Sequence, residues 1–257
     1  MAIEQRTNQV LTIEELQRQI DESKDNAVIH LAPGRIRGRL IIDKPITLRG
    51  SGADRTIIDG LGKGPTLSID ADHGEVRIEE LGITGGRGLN GGGISIDNGA
   101  EVYVVGCLLD RNAAKTGRGG AIAIDRGLLH LIECTIVQNK AVQGGAIFVG
   151  GDAKCEVSAC IVAENSALSG GGLSVVDGAE VEVWTCRIEN NQAEVEGNHI
   201  FTYGTTVRRP RIVLSNALLG VVSGGNLPIA NNPKFKADLV VDNSTLGREI
   251  MAFHVVG

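Results

Sequence analysis

The sequence predicts an all-β fold, a right-handed parallel β-helix whose coils contain about 26 residues. Three kinds of residue recur with nearly the same step along the chain. Cysteines occur at positions 107, 134, 160 and 186, asparagines at 112, 139, 165 and 191, and alanines at 114, 141, 167 and 193. Apolar residues alternate within each copy, which is typical of half-buried strands. Copies that stack and pair equivalent strands about 4.8 Å apart form a solenoid of parallel sheets.

Residues 12–22 are predicted to form a short amphipathic helix that caps the first coil. Thr12 and Glu15 have the spacing of a capping box, and Leu16 and Ile20 follow on one helical face. A solenoid exposes its core at each end, so a terminal cap is needed.

We expect one domain over residues 1–257, because no linker divides the chain. Residues 27–90 read as early, irregular coils with alternating strands, and residues 91–196 as regular coils. Residues 197–257 lose the repeated columns, and Pro228 and Pro233 mark an irregular loop there. This last segment is predicted to contain degenerate coils and a C-terminal cap.

Each regular coil is predicted to contain three short strands. One follows the Gly-Gly pair, one precedes the cysteine and one runs through it. The cysteines are interpreted as small inward-facing core groups, because zinc sites need clustered ligands that are missing here. We therefore predict no metal and no cofactor.

The repeated asparagines are predicted to sit at sharp turns with left-handed backbone geometry and to bond amide to amide between coils. The Gly-Gly pairs allow close approach of neighbouring coils. They lack the strand–GxGxxG–helix context of a dinucleotide site.

Composition excludes some functions. The net charge is −6 and the isoelectric point is about 5.4, so general nucleic-acid binding is not expected. No stretch approaches 18 apolar residues, so no membrane span is predicted. The five cysteines and the absence of a signal segment favour the cytoplasm. A surface or secreted location is expected only if the chain is truncated.

Two motifs resemble known families. The segments KPITLRGSG at 44–52 and TIIDG at 56–60 resemble the N-terminal part of pectin-lyase-like proteins. The GGAI segments at 119–122 and 144–147 are similar to repeats of chlamydial polymorphic outer-membrane proteins. In this chain the aromatic of that family's second motif is replaced, and its neighbouring core position holds Leu109, Ile136, Val162 and Ile188. The resemblance covers roughly residues 12–220 and implies the fold, which hosts lyases, hydrolases, epimerases, adhesins and inert scaffolds.

The chain lacks the catalytic motifs of the hydrolases that share this predicted fold, and it contains one acidic spot. The Asp-Asp, Gly-His-Gly and Arg-Ile-Lys motifs of polygalacturonase-like hydrolases are missing. Asp70, Asp72 and Glu75, with His73, form the densest acidic spot and the weak candidate for a Ca²⁺ site. Their position between two strands favours a surface turn.

Outward strand positions are the other place where a site is expected. Alternation places Ser95, Ala123, Phe148 and Ser174 on a small, uncharged outer surface. The strand before each cysteine is richer, with an outward column of Tyr103, His130, Glu156 and Glu182 and with Trp184 in the neighbouring column. Glu101, Lys154 and Glu180 flank it. The four residues of the column and Trp184 form the predicted ligand-binding set. His30, His199 and His254 are interpreted as structural.

The leading functional hypothesis is a non-catalytic scaffold or binding protein, whose partner is a protein or a polysaccharide. No assembled catalytic set accompanies the repeat, so no catalytic residue is assigned. A carbohydrate-active lyase, hydrolase or epimerase is the first alternative, with Glu156, Glu182 and His130 as acid/base candidates. A surface adhesin-like passenger is the second. The sequence leaves the oligomeric state open.

Overall fold

The computed structural model describes residues 4–6, 10–204, 208–220, 229–231, 238–242 and 254–255. Over these residues the chain forms one helix and 31 strands in four parallel sheets. The predicted all-β solenoid with a short N-terminal helix is therefore confirmed. Pro228, Pro233 and much of the predicted C-terminal cap lie outside the described residues.

We number the sheets in the order in which a regular coil visits them. The first sheet has 11 strands and contains the strand before each cysteine: Glu4–Arg6, Ala27–His30, Ile46–Arg49, Glu75–Glu79, Glu101–Val105, Leu128–Ile132, Lys154–Ser158, Glu180–Trp184, Arg211–Ser215, Asp238–Asp242 and His254–Val255. The second sheet has 8 strands and follows the cysteines: Gly34–Arg37, Thr56–Asp59, Gly82–Thr84, Leu108–Asp110, Thr135–Val137, Ile161–Ala163, Arg187–Glu189 and Leu218–Leu219.

The other two sheets complete the coil. The third sheet has 4 strands and follows the asparagines: Ala113–Arg118, Lys140–Gln143, Ser166–Ser169 and Gln192–Glu196. The fourth sheet has 8 strands and follows the Gly-Gly pairs: Leu40–Ile42, Leu67–Ile69, Ile94–Ile96, Ile122–Ile124, Ile147–Val149, Leu173–Val176, Ile200–Tyr203 and Ile229–Asn231. Regular coils thus contain four strands, and the prediction of three was wrong because it omitted the third sheet.

The capping helix, α1, spans Ile13–Glu22. The N–H of Thr12 donates to Glu15 Oε2 (2.8 Å) and the N–H of Glu15 donates to Thr12 Oγ1 (3.2 Å), which forms the predicted capping box. Leu16 and Ile20 are fully buried in the main core. The helix therefore covers the first coil with the apolar face that its sequence pattern predicts.

The repeated cysteines lie at the corner between the first and second sheets and not inside a strand, which corrects the prediction. The second-sheet strand begins one residue later, as in Leu108–Asp110 after Cys107. All five cysteines are buried and free. Burial raises the pKa of the Cys107 thiol to about 12. The thiol of Cys134 donates to Val104 O in the preceding coil (3.2 Å), so the column packs and bonds between coils.

The predicted asparagine ladder is present at the corner between the second and third sheets. Asn112 Nδ2 donates to Asn139 Oδ1 (3.2 Å), and the same bond joins Asn139 to Asn165 (3.0 Å) and Asn165 to Asn191 (2.9 Å). These side chains are buried. Left-handed geometry falls on the residue before each asparagine: Arg111, Gln138, Glu164 and Asn190. The predicted left-handed position was therefore wrong by one residue, since the asparagine acts through its carboxamide.

The outward column of Ser95, Ala123, Phe148 and Ser174 is buried, although we expected a surface there. Ends of third-sheet strands fold against it. The guanidinium carbon of Arg118 lies 4.8 Å from the Phe148 ring centroid, and a Cβ on Gly119 would lie 2.9 Å from Ala123 Cβ. The left-handed φ of +64° at Gly119 makes this fold-back possible. Ala123 and Phe148 of this column form a second small apolar cluster with Val176.

Candidate binding face

The predicted site residues lie on the outer side of the first sheet. Parallel pairing aligns Tyr103 with His130, His130 with Glu156, and Glu156 with Glu182, so the four form one column across successive coils. Trp184 lies in the next outward column, paired with Ser158. We call the outer surface of strands Glu101–Val105, Leu128–Ile132, Lys154–Ser158 and Glu180–Trp184 the Tyr103–Glu182 face.

The ring of Tyr103 is covered on both sides. The imidazole of His130 stacks on it with centroids 4.2 Å apart and planes 11° apart. On the side of the preceding coil, the guanidinium carbon of Arg77 lies 4.5 Å from the ring centroid. The phenol donates a hydrogen bond to Glu101 Oε1 (2.8 Å), which raises the pKa of Tyr103. Both π faces of Tyr103 are thus occupied within the protein.

His130 lies between two carboxylates and bonds one of them. Its Nδ1 is 2.9 Å from Glu156 Oε2, whereas its buried Nε2 lies 3.4 Å from Glu101 Oε1 and makes no hydrogen bond among the described residues. The His130 side chain is only 13% exposed, whereas those of Glu101 and Glu156 are 39% and 41% exposed. The imidazole therefore holds neighbouring strands together beneath carboxylates that reach solvent.

The C-terminal part of the face carries separate ion pairs. Glu182 Oε1 lies 3.3 Å from Arg211 Nη1, and Glu180 Oε2 lies 3.1 Å from Lys154 Nζ. Trp184 is half-buried beside them. Glu156 and Glu182 are neighbours in the column, but each has a different partner. The structure therefore brings all five predicted binding residues onto one face without joining the two carboxylates through a shared group.

Sequence reasoning missed the continuation of this face toward the N-terminus. Glu79 is bonded by Arg49 Nε (2.5 Å) and Arg77 Nε (2.9 Å). Burial by itself raises the pKa of Glu79, but the two guanidinium groups outweigh it and leave the pKa below its ordinary value. Arg77 pairs directly with Tyr103. The signal was available, because residue 77 lies one 26-residue coil before residue 103.

The acidic side chains at residues 70–75 do not converge on one point, because they have separate partners. Asp70 accepts a hydrogen bond from Asn98, whereas His73 bonds Asp72 and Asp25. Within the described ranges, no group of three or more His, Cys, Asp or Glu is arranged to hold a metal ion. Asp70, Asp72 and Glu75 thus show no convergent ligand geometry.

Two of the histidines interpreted as structural have described side chains. His30 is half-buried on the first sheet. His199 is fully buried, and its Nε2 donates to Gly220 O (3.0 Å) while its Nδ1 has no hydrogen-bond partner. Burial lowers the pKa of His199. The side chain of His254 lies outside the described residues.

A search of the curated proteins finds no match. Among solved structures, a crystal structure of pectin methylesterase in complex with hexasaccharide VII aligns with a TM-score of 0.47 and 12% identity, over 95% of this chain and 78% of that one. The similarity to chlamydial repeats stays a prediction.

No helix in the described part of the chain has the length and apolarity needed to cross a membrane. The model of the right-handed β-helix region matches residues 65–250, which is most of the chain. This match agrees with the parallel coils of the structure. The protein belongs to the right-handed β-helix family.

Proposed function

We propose that this protein is a non-catalytic β-helix scaffold that binds a neutral polysaccharide along the Tyr103–Glu182 face. The observation that supports this most directly is the ordered outward column from Tyr103 to Glu182. Each successive coil places one outward polar side chain in this column, at a strand spacing of about 4.8 Å. A linear polymer of similar sugars presents hydroxyl groups repeatedly along one direction, which matches a repeated polar column.

The pairing of the polar groups argues against catalysis. Glu156 is bonded to His130 (2.9 Å) and Glu182 is paired with Arg211 (3.3 Å). A glycosidase places its two carboxyl groups on either side of one bond, as acid and as base or nucleophile. Here both carboxylates extend from parallel strands on the same side of one sheet, and each is engaged separately.

Charge favours an uncharged ligand over an acidic one. Six glutamates lie on the outer side of the first sheet: Glu75, Glu79, Glu101, Glu156, Glu180 and Glu182. Four permanent cations accompany them: Arg49, Arg77, Lys154 and Arg211. An acidic polysaccharide would meet net repulsion at this face, whereas hydroxyl groups can donate to the exposed carboxylate oxygens.

Trp184 is the aromatic residue that we expect to contact a sugar. Both ring faces of Tyr103 are covered by His130 and Arg77, so Tyr103 acts as a support for the column. Trp184 lies beside Glu182 on the same strand, two residues along, and is partly exposed. An indole ring next to a carboxylate offers an apolar surface and hydrogen-bond acceptors together.

Affinity gel electrophoresis tests the proposal, with separate gels that contain neutral polysaccharides of α- and β-linked glucose, mannose or xylose, and acidic pectate as a comparison. We expect retardation in a neutral gel and little in pectate. Trp184→Ala and Glu182→Gln should each weaken the retardation about tenfold. Tyr203→Ala is the matched control, because Tyr203 is 37% exposed on the fourth sheet, away from this face.

The same polysaccharides test the non-catalytic part of the proposal. Reducing ends and unsaturated products should not accumulate during prolonged incubation. Turnover that is abolished by Glu156→Gln or Glu182→Gln would establish the enzyme alternative. Equal mobility in every gel would overturn carbohydrate binding and leave a protein as the partner to be sought for this face.

A further inference from the structure

The third sheet presents a face that the proposed function does not use. Each of its four strands turns one alanine inward: Ala114, Ala141, Ala167 and Ala193, all buried. The residues on either side of each alanine point the other way. We call the outward side of strands Ala113–Arg118, Lys140–Gln143, Ser166–Ser169 and Gln192–Glu196, together with Leu89, the third-sheet face.

Exposed apolar side chains run along this face. Leu168 is 40% exposed, Val195 is 61% exposed and Leu89 is 64% exposed. Val142 is partly exposed and lies directly opposite Leu168, because Lys140 pairs with Ser166 and Gln143 with Ser169. Val142 and Leu168 adjoin in the middle of the face, whereas Leu89 and Val195 lie at its two ends, and exposed apolar side chains grouped on one face are typical of a contact surface.

Charges on this face are divided between its two halves. Lys115 and Lys140 are exposed on its first two strands, and Glu194 and Glu196 are on its last strand. None of these four side chains has a hydrogen bond or ion pair within the part of the chain that the structure describes. The charge of the face therefore changes from basic on its first two strands to acidic on its last strand, with the Val142–Leu168 pair between the two ends.

We propose that the third-sheet face binds a second copy of this chain in a two-fold symmetric dimer. A two-fold axis between strands Lys140–Gln143 and Ser166–Ser169 would place the first strand of one copy opposite the last strand of the other. Lys115 would then face Glu194 and Glu196 of the second copy at both ends. Val142 and Leu168 would meet near the axis, where the same patch must complement itself.

The charge order is what selects a second copy as the partner. In a two-fold symmetric contact, each end of the patch faces the opposite end of the patch on the other copy. A patch that is basic at one end and acidic at the other therefore complements itself. The first and last strands are three strand spacings apart, roughly 14 Å, so both charged ends fit in one contact. The Tyr103–Glu182 face lies on another sheet, so this inference does not depend on the proposed function.

Sedimentation equilibrium of the full chain at several concentrations tests the dimer. We expect a monomer–dimer equilibrium that Leu168→Glu shifts toward the monomer by at least tenfold in Kd. Ile161→Glu is the matched control, since Ile161 is 36% exposed on the second sheet and should leave the Kd unchanged. Far-ultraviolet circular dichroism checks that each variant is folded.

Charge exchange distinguishes this geometry from other dimers. Lys115→Glu alone and Glu194→Lys alone should each weaken association, because each puts like charges together. The combined variant should recover it, since the two residues face each other across the axis. A wild-type monomer at every concentration, a dimer insensitive to Leu168→Glu, or a combined variant weaker than both single variants would overturn the proposal.

Discussion

The imidazole of His130 lies parallel to the phenol ring of Tyr103, with the ring centroids 4.2 Å apart. The two residues are direct partners on neighbouring first-sheet strands, and stacking adds to the cross-strand contact that the sheet already imposes. His130 is in turn bonded to Glu156. His130 therefore links three successive coils at the centre of the Tyr103–Glu182 face.

Tyr103 and His130 should be energetically coupled. A double-mutant cycle with Tyr103→Ala and His130→Ala, measured by urea unfolding, is expected to give about 0.5–1.5 kcal/mol of coupling. Lys154 and Glu180 form the comparison pair, because their exposed ion pair should couple by less than about 1 kcal/mol. Additive effects of the Tyr103 and His130 substitutions would contradict the stacking contribution.

Asn139 should be among the most sensitive polar positions. Its Oδ1 accepts from the N–H of Asn112 (2.9 Å), and its Nδ2 donates to Leu109 O, Val137 O and Asn165 Oδ1. Asn139→Ala leaves several of these buried groups unpaired and is expected to lower the free energy of unfolding by at least about 3 kcal/mol. Gln138→Ala, at the exposed neighbour, should change it by about 0.5 kcal/mol or less. A similar loss in both variants would contradict the ladder's role.

His199 should make stability fall as the pH falls below neutral. Burial lowers its pKa in the folded state, so near pH 6.5 His199 is protonated to a greater extent in the unfolded chain than in the folded chain. Stability is then unaffected well above pH 6.5 and declines as the pH drops toward the folded pKa. Urea midpoints of His199→Gln, compared with wild type between pH 7.5 and 5, should show a smaller decline.

His73 provides a control of opposite sign. Its hydrogen bond to Asp72, followed by that to Asp25, raises its pKa. Its contribution is therefore present below the unfolded pKa and lost as the pH rises through the folded pKa. His73→Gln should steepen the decline toward pH 5, whereas His199→Gln should flatten it. Equal slopes in both variants would show that neither histidine sets the pH dependence.

Gln17 should protect the open edge of the fourth sheet. Its carboxamide accepts a hydrogen bond from the N–H of Ile41 (2.8 Å) and donates one to Ile41 O (2.9 Å). These two bonds take the place of those that a further strand would make with Ile41. Ile41 lies on the terminal strand Leu40–Ile42 and is 54% exposed. An unprotected edge promotes strand pairing between molecules.

Gln17→Ala is therefore expected to increase self-association or aggregation, measured by light scattering during prolonged incubation at high concentration. Gln17→Glu should have an intermediate effect, because a carboxylate still accepts from Ile41 N–H but does not donate to Ile41 O. Glu14→Ala, on the same helix, is the control. Unchanged scattering in both Gln17 variants would contradict edge protection.

The predicted and observed structures agree where one coil repeats the next. The cap from Thr12, the asparagine ladder and the column of Tyr103, His130, Glu156 and Glu182 all follow from a pattern inside the sequence. A period of two assigns each side chain to one side of a strand, and a period of about 26 residues aligns the strands. Both periods are properties of the chain itself.

The third sheet was missed although its alanines repeat with the coil, because these strands lack the longer apolar alternation of the other sheets. Strands Lys140–Gln143 and Ser166–Ser169 are short and contain few β-branched residues. They are strands because the neighbouring coil provides hydrogen-bond partners at the same height. The ion pairs of the candidate face were also not predicted, because side-chain rotamers decide which neighbour each glutamate contacts. Glu156 contacts His130, and Glu182 contacts Arg211.

The sequence by itself determined the solenoid, its coil length and the set of residues on each side of the first sheet. Only the tertiary structure decided what covers each side. Phe148 points away from the main core and is still fully buried, because Arg118 and its strand fold over it. Tyr103 points outward and has no free ring face, because Arg77 and His130 flank it. Alternation along a strand sets the direction of a side chain, whereas its exposure depends on segments that are distant in sequence.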